Sequence, residues 1–224
     1  MKVDLIVFDM AGTTVDEDNV VYKTVRKAIN DAGYCFSQEE VQAAGAGKEK
    51  SQAIRDVLAL DGQAHDEDEV QRIFSGFRRD LAEAYRDLNV TGQPGALQVF
   101  ARLKKNGVKV FLNTGYDRAT AEGLINKLDW NIGQEIDGLI TASDVKNGRP
   151  HPEMIHLAMS KCGLKDSSRV AKVGDSVIDI EEGKSSECGY TFGVTTGAQT
   201  RKQLESARPT AVVDSLGEVA DRLV

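Results

Sequence analysis

The feature that most constrains the fold is an alternation of strand and helix patterns that begins at the Gly-Gln-Pro-Gly segment ending at Gly95. Short apolar runs typical of buried strands are separated by segments with helical periodicity. The pattern predicts helices at 95–106, 118–129, 152–162 and 179–188, strands at 108–112, 138–141, 169–173, 190–194 and 211–213, and a final helix. Strands that alternate with helices form a parallel sheet covered on both faces. We therefore predict an α/β fold with a doubly wound, mainly parallel sheet.

A first strand at Leu5–Phe8 is separated from this alternation by a segment with only helical patterns. We predict helices at 19–32, from the capping box at 37–40 to the glycines at 45–47, from about 48, and from about 66 to 88. The core is then formed by residues 1–15 and 90–224, and an all-helical domain, 16–89, is inserted after the first strand. Such an insertion can act as a lid that excludes water; a passive insertion is the alternative.

The composition excludes several classes of function. The chain of 224 residues is 41% hydrophobic and 28% charged, which is typical of a globular protein with a proper core. Its net charge of −7 disfavours nucleic acid as a partner. We find no apolar stretch of about 18 residues that could span a membrane, and no secretory signal pattern. The three scattered cysteines suit reduced thiols. We therefore expect a cytoplasmic protein with a small-molecule partner and no membrane partner.

The first helix of the insertion is a candidate surface for a homodimer. Its apolar side chains include Val20, Val21, Tyr22 and Val25. The sequence carries no further information on the oligomeric state.

A carboxylate stands at the end of the first strand. Asp9 follows Leu5–Phe8 directly, and Gly12 and Thr13 come shortly after it. In open α/β sheets, ligands bind beyond the carboxyl ends of the strands. Asp9 is therefore expected in a ligand crevice, although a turn or helix-capping aspartate is the alternative for this segment taken alone.

Two later strands also end in polar residues. Thr114 and Gly115 precede Tyr116 and a predicted helix, which together form a pattern typical of an anion site: a hydroxyl group, free backbone N–H groups and a helix N-terminus. N-capping by Asp117 is a second interpretation, and the two are compatible. At the other strand end, Asp175 and Asp179 are four residues apart across a strand-to-helix turn. Two such carboxylates suit a hard cation that prefers oxygen ligands, namely Mg²⁺.

An arginine precedes another predicted helix. Arg149 lies in the segment Gly-Arg-Pro-His-Pro, and the prolines restrict the approach of the chain. A guanidinium in this place can bind phosphoryl oxygens with its planar fork of donors. An exposed surface arginine is the alternative.

Taken in order, these four segments resemble the motifs of the haloacid dehalogenase (HAD) superfamily, and the resemblance covers the whole chain. It implies a Rossmann-like core with an inserted all-helical cap. It further implies that Asp9 is the nucleophile that forms an aspartyl phosphate, and that Arg149 replaces the usual lysine. The implied metal ligands for Mg²⁺ are Asp9, the backbone carbonyl of Ala11, Asp175 and Asp179. The implied groups for the phosphoryl oxygens and the substrate are Thr114, Gly12, Thr13, Gly115 and Tyr116.

The chain departs from the common phosphatase pattern at Ala11. Most phosphatases of the superfamily carry there a second aspartate, which protonates the leaving oxygen. Loss of a general acid costs on the order of 10²–10⁴ in rate. Either the protein is slow on ordinary phosphomonoesters, or its leaving group needs no acid at that position.

The segment Asp-Met-Ala-Gly-Thr, together with arginine before Pro-His-Pro, resembles the phosphonoacetaldehyde hydrolases. In that family a cap lysine forms a Schiff base with the substrate aldehyde. Lys50 is the better match to that lysine and Lys48 the second, while a solvated helix start is the alternative for both. A closed cap can lower the pKa of such a lysine by desolvation. Ala46 and Ala53 stand where that family has methionine and histidine, so the substrate can differ from phosphonoacetaldehyde.

Three functions follow as hypotheses. The leading one is Mg²⁺-dependent cleavage of a P–C bond through an aspartyl phosphate and a lysine imine. The second is a phosphomonoester phosphatase of the phosphoglycolate or sugar phosphate type that finds its acid elsewhere. The third, a catalytically idle binding protein, would require a lost nucleophile or metal ligand, whereas Asp9 and Asp175 are both present.

Overall fold

A parallel six-stranded sheet forms the centre of the protein in the computed structural model, which describes residues 3–224. The strand order is β5-β4-β1-β6-β7-β8, so the chain leaves β1 to one side and later returns to the other. The carboxyl ends of β4, β1 and β6 therefore lie side by side at the point where the strand order reverses, which is where open α/β sheets bind ligands. The strands are β1 Leu5–Asp9, β2 Val15–Asp16, β3 Thr91–Gly92, β4 Lys109–Thr114, β5 Gly138–Thr141, β6 Val170–Gly174, β7 Tyr190–Val194 and β8 Ala211–Val213.

Helices cover both faces of this sheet. Leu5 and Val7 of β1 belong to a cluster on one face, whereas Ile6 and Phe8 belong to the larger cluster on the other. Successive side chains of a strand point to opposite faces, so a continuous apolar run is the expected pattern for a strand buried on both. The α-helices are α1 Val20–Asp31, α2 Gln38–Gly45, α3 Lys50–Leu58, α4 Glu67–Asp87, α5 Ala96–Lys105, α6 Arg118–Lys127, α7 Glu153–Lys161, α8 Val177–Ser185, α9 Arg201–Ser206 and α10 Leu216–Leu223.

The four helices expected between the first strand and the alternating region are present as α1 to α4. The capping box before α2 is formed, because Ser37 accepts from the backbone N–H of Glu40 and the Glu40 carboxylate accepts from that of Ser37. The separation of 16–89 as a cap domain stays a prediction. The sequence analysis missed a small antiparallel sheet in which β2 pairs with β3 at the two ends of this helical segment. Strands of two residues are too short to produce a periodic pattern.

Three other predictions of secondary structure were wrong in detail. Helix α9 was missed, although Thr200 and Gln203 form a capping box at its start. Helix α8 begins at Val177 and ends at Ser185, not at 179–188. Strand β4 continues to Thr114, so this residue closes the strand and does not follow it. None of the helices described between residues 3 and 224 is long and apolar enough to cross a membrane.

Candidate active site

Three carboxylates meet at the carboxyl edge of the sheet. Asp9 ends β1, Asp175 follows β6, and Asp179 lies in the first turn of α8. All three are buried, and one carboxylate oxygen of each lies within 4.8 Å of the others. The parallel sheet thus brings together the three acidic residues that the sequence analysis selected.

Glycines allow this close approach. Gly12 has a φ of +80°, and a Cβ atom there would lie 2.5 Å from Asp175 Oδ2. A Cβ atom at Gly174 would lie 2.1 Å from Asp179 Cγ. Asp175 is held in turn by the backbone N–H of Ala198, which donates to Oδ2 at 2.5 Å, and by the Thr13 hydroxyl, which donates to Oδ1 at 3.5 Å. The turn after β1 therefore requires glycine at position 12.

The acidic cluster fits a divalent cation. Burial, together with repulsion from Asp9 and Asp179, raises the pKa of Asp175 well above its usual value. A cation among these groups would favour their ionised forms. Carboxylate oxygens are hard ligands of the type that Mg²⁺ prefers. Ala11 lies beside this cluster, because it lines a cavity of about 210 Å³ together with Asp175.

Arg149 is buried against the same cluster. Its Nη1 atom lies 2.6 Å from Asp9 Oδ1 and 3.0 Å from Asp179 Oδ1, and its Nε atom lies 3.0 Å from Glu182 Oε2. Its Nη2 atom donates to the backbone carbonyl of Asn113 at 2.9 Å and to the side-chain oxygen at 2.6 Å. Arg149 is therefore a buried charge with partners from three elements, and the alternative of a surface arginine is wrong.

A second buried cation was not predicted from the sequence. Lys172 in β6 is fully buried, and its Nζ atom lies 3.0 Å from Asp179 Oδ1 and 3.2 Å from Glu182 Oε2. It also donates to Asn113 Oδ1 at 2.6 Å. The sequence feature that could have identified Lys172 is its position inside an apolar strand. A charged side chain in a central strand is buried and needs buried partners of opposite charge. Together with Arg149, Lys172 holds the pKa of Asp179 below its usual value, although burial alone would raise it.

The segment after β4 lies beside the cluster. Thr114 is buried at the end of the strand, and its hydroxyl oxygen accepts from the backbone N–H of Tyr116 at 3.2 Å. Asp117 caps α6 by accepting from the backbone N–H of Thr120 at 3.0 Å, so the N-cap interpretation is confirmed. A Cβ atom at Gly115 would lie 2.8 Å from the carbonyl oxygen of Lys48. Gly115 therefore lets the loop between α2 and α3 approach the end of β4.

The same loop contacts the sheet edge at Gly47. The Gly47 carbonyl accepts from Arg149 Nη1 at 3.4 Å, and its N–H donates to the Tyr22 hydroxyl at 2.8 Å. Gly47 has a φ of +71°, and a Cβ atom there would collide with Ile178 and Ser176 at about 2.4–2.5 Å. The helical segment is thus joined to the acidic cluster three residues before Lys50.

Lys50, the first residue of α3, is buried in this contact. Its Nζ atom donates to the carbonyl of Lys48 at 2.7 Å and lies 5.1 Å and 5.3 Å from the ring centroids of Tyr22 and Tyr116. Burial lowers the pKa of its ammonium to about 8. The alternative of a solvated helix start is therefore wrong for Lys50. The Lys48 ammonium instead forms an ion pair with Asp56, and about 29% of its side chain is exposed.

A buried glutamate lies near Lys50 and was also missed. Glu17 Oε2 accepts from the Tyr85 hydroxyl at 3.0 Å and from the backbone N–H of Val21 at 3.2 Å. Burial raises the pKa of Glu17 to about 7, against the opposing effects of these hydrogen bonds and of the Lys50 charge. In the sequence, Glu17 stood in the acidic run 16–18 and looked like part of a solvated segment. No pattern distinguished it from Asp16 and Asp18.

Comparisons with known proteins agree with this geometry. A family model described as haloacid dehalogenase-like hydrolase matches residues 3–186. A phosphonoacetaldehyde hydrolase of Bacillus cereus is 30% identical over 223 residues, covering 92% of this chain and 82% of that protein. A protein of Dickeya dadantii named probable phosphatase IndB is 30% identical, with 96% and 91% covered. The crystal structure of a phosphonoacetaldehyde hydrolase-like protein from Oleispira antarctica superposes with a TM-score of 0.82 at 25% identity, covering 99% of this chain and 94% of that one.

The buried cations make a prediction about stability. We expect Lys172→Met to lower the free energy of unfolding by about 3–5 kcal/mol, because it leaves the buried Asp179 and Glu182 with one cation fewer. Lys109→Met, on another strand of the sheet, removes an ammonium that is 56% exposed and pairs with Asp137, so it should cost at most about 1 kcal/mol. Urea unfolding measures both values, and equal losses would contradict the role given to Lys172.

Proposed function

Because the chain belongs to the haloacid dehalogenase-like hydrolases, we propose that it is an Mg²⁺-dependent enzyme that cleaves the P–C bond of a small phosphonate with a carbonyl group. Asp9 forms an aspartyl phosphate, and Lys50 forms an imine with the carbonyl carbon. The observation that carries the proposal is the buried Lys50 amine beside the acidic cluster, at the end of a loop that contacts Arg149. Relatives named phosphonoacetaldehyde hydrolase over nearly the whole chain support it.

A set of oxygen ligands at the acidic cluster could hold the metal ion. Asp9, Asp175 and Asp179, with the Ala11 carbonyl, would hold Mg²⁺, which when bound neutralises negative charge on the phosphoryl group. The backbone after Asp9 and the end of β4 follow neighbouring strands at this edge of the sheet. In this proposal Gly12, Thr13, Thr114 and Gly115 bind and orient the phosphoryl oxygens.

Asp9 and Lys50 divide the reaction between them. A carboxylate oxygen of Asp9 attacks phosphorus, and the new O–P bond forms as the P–C bond breaks. The electron pair of the P–C bond moves into the protonated imine on Lys50 and leaves a neutral enamine. Water then hydrolyses the aspartyl phosphate and, after the enamine carbon takes a proton, the imine. A covalent nucleophile thus splits one difficult displacement into two easier ones. No general acid at position 11 is needed, because the protonated imine takes up the electron pair of the P–C bond.

The surroundings of Lys50 suit imine formation. The attacking amine must be neutral, and burial lowers the pKa of Lys50 to about 8, so a useful fraction is neutral near pH 7. Formation of the imine expels a hydroxyl group and needs a proton donor. Glu17 meets that need, since burial raises its pKa to about 7 and its carboxylate lies close enough to affect the Lys50 charge.

A phosphomonoester phosphatase is the second candidate. The relative named probable phosphatase IndB favours it, as does the buried Glu17. In this reading Glu17 protonates the leaving oxygen and so replaces the acid that is missing at Ala11. Lys50 would then only bind the substrate.

The imine gives a direct test. With Mg²⁺ and phosphonoacetaldehyde or a 2-oxoalkylphosphonate, we expect sodium borohydride to inactivate the enzyme and to leave a reduced adduct on Lys50, located by peptide mass spectrometry. Lys50→Ala should form no adduct and should lose phosphate release from these substrates. Lys48→Ala removes a neighbouring lysine that pairs with Asp56, and it should retain both the adduct and the activity.

Two outcomes of this experiment would contradict the proposal. Release of phosphate from several phosphomonoesters by Lys50→Ala at the wild-type rate, with no adduct in the wild type, would establish the phosphatase. An adduct on Lys48 would instead show that Lys48, and not Lys50, forms the imine.

The pH dependence follows from the states of Lys50 and Glu17. Because attack needs the neutral Lys50 amine and loss of the hydroxyl group needs the protonated Glu17 carboxyl group, kcat/KM should pass through a maximum between about pH 7 and 8 and fall on either side. Glu17→Gln removes the acid, so the fall on the alkaline side should disappear; because the Glu17 carboxylate raises the pKa of Lys50, the remaining inflection should lie below about pH 8. Asp56→Asn removes the carboxylate that pairs with Lys48 and should leave the inflection in place. An inflection near the ordinary lysine value of about 10.4 would contradict a buried Lys50.

A further inference from the structure

An apolar cleft opens beside Lys50. Its volume is about 500 Å³, and it runs between α4 of the helical segment and α6 of the α/β core. Lys50, Gly115 and Tyr116 line it, so the cleft is continuous with the end of β4 and with the imine position. Most of its lining surface is apolar. The cleft is therefore an extension of the proposed site and not a separate feature.

One wall is an aromatic and aliphatic stripe of α4. The residues that line the cleft from this helix recur at helical spacing: Phe74, Phe77, Arg78, Leu81, Ala82 and Tyr85. Residues three and four apart lie on one face of a helix, so this face of α4 is turned towards the cleft. Phe77 and Leu81 are nearly buried, at 2% and 5% exposure. This wall offers apolar contacts over several turns.

The opposite wall includes three small residues. Ala119, Thr120 and Gly123 of α6 line the cleft together with Leu124 and Lys127, and a Cβ atom at Gly123 would meet no atom within 4 Å. The small side chains of α6 thus leave space opposite the apolar residues of α4. A larger side chain at Gly123 would enter the cleft without first displacing a neighbour.

The size of the cleft does not match a two-carbon substrate. A phosphonate held at Asp9 with its carbonyl carbon at Lys50 has used all the atoms of phosphonoacetaldehyde. A pocket of about 500 Å³ lies in the range that holds drug-sized ligands, and its apolar lining favours an apolar group.

We propose that the α4–α6 cleft is a substrate subsite for an apolar substituent of about the size of an aryl ring, carried on the carbonyl end of the phosphonate. The preferred substrate is then a 2-oxophosphonate larger than phosphonoacetaldehyde. The carbonyl group of this substrate rests on the proposed function, whereas the apolar subsite can be tested by binding alone, without any reaction.

Inert phosphonates provide the test. In the presence of Mg²⁺, calorimetry compares methylphosphonate with 3-phenylpropylphosphonate, neither of which has a carbonyl group or a cleavable ester. Burial of an aryl ring should make the phenyl compound bind on the order of 10- to 100-fold more tightly. Gly123→Leu and, separately, Ala119→Phe should remove that preference and leave the affinity for methylphosphonate unchanged.

The control is a glycine on the neighbouring helix. Gly76 of α4 also has no atom within 4 Å of a Cβ position but does not line the cleft, so Gly76→Leu should retain the full preference. Thermal unfolding checks that each variant is folded. Equal affinities of the two phosphonates in the wild type, or a preference that survives both cleft-filling variants, would overturn the subsite. A preserved preference for the aryl compound in an enzyme that forms no imine would keep the subsite and reject only the proposed function.

Discussion

The structure depends on how the buried guanidinium of Arg149 is satisfied. A charge in the protein interior is tolerated only when its partners are complete, and removal of one partner costs several kcal/mol. Arg149 pairs with Asp9 at the end of β1, with Asp179 and Glu182 on α8, and with Asn113 on β4. The ends of two strands and one helix must therefore take up their positions together. The acidic cluster is consequently positioned before any ligand arrives.

The same guanidinium joins the helical segment to the sheet. Through the Gly47 carbonyl, Arg149 contacts the loop that carries Lys48 and begins α3 at Lys50. The positive φ of Gly47, which glycine adopts readily, and the missing side chain of Gly115 let this loop lie directly on the sheet edge. Burial of Lys50 is a consequence of that contact, and so is the lowered pKa of its ammonium. The proposed nucleophile Asp9 and the proposed imine-forming Lys50 are thus positioned by the same backbone contacts.

The sequence predicted the sheet and most of the acidic site because both depend on local signals. Apolar runs locate the strands, and parallel pairing brings their carboxyl ends together, so Asp9, Thr114 and Asp175 could be placed at one edge. Lys172, Glu182 and Glu17 could not be assigned to the site in the same way. Lys172 and Glu182 contact Asn113, which is 59 and 69 residues away from them in the sequence. Glu17 is buried, but it belongs to an acidic run that looks solvated in the sequence. The two-residue strands β2 and β3 were missed because only their tertiary pairing defines them.

In the proposed reaction Asp9 makes a covalent bond to phosphorus, and this bond can be trapped. The enzyme is mixed with substrate and Mg²⁺, quenched in acid within the first turnover, and digested for peptide mass spectrometry. We expect a phosphoryl group on the peptide that contains Asp9, and neither this modification nor turnover in Asp9→Asn. Full turnover by Asp9→Asn, or rapid phosphate release without any phosphorylated aspartate, would contradict it.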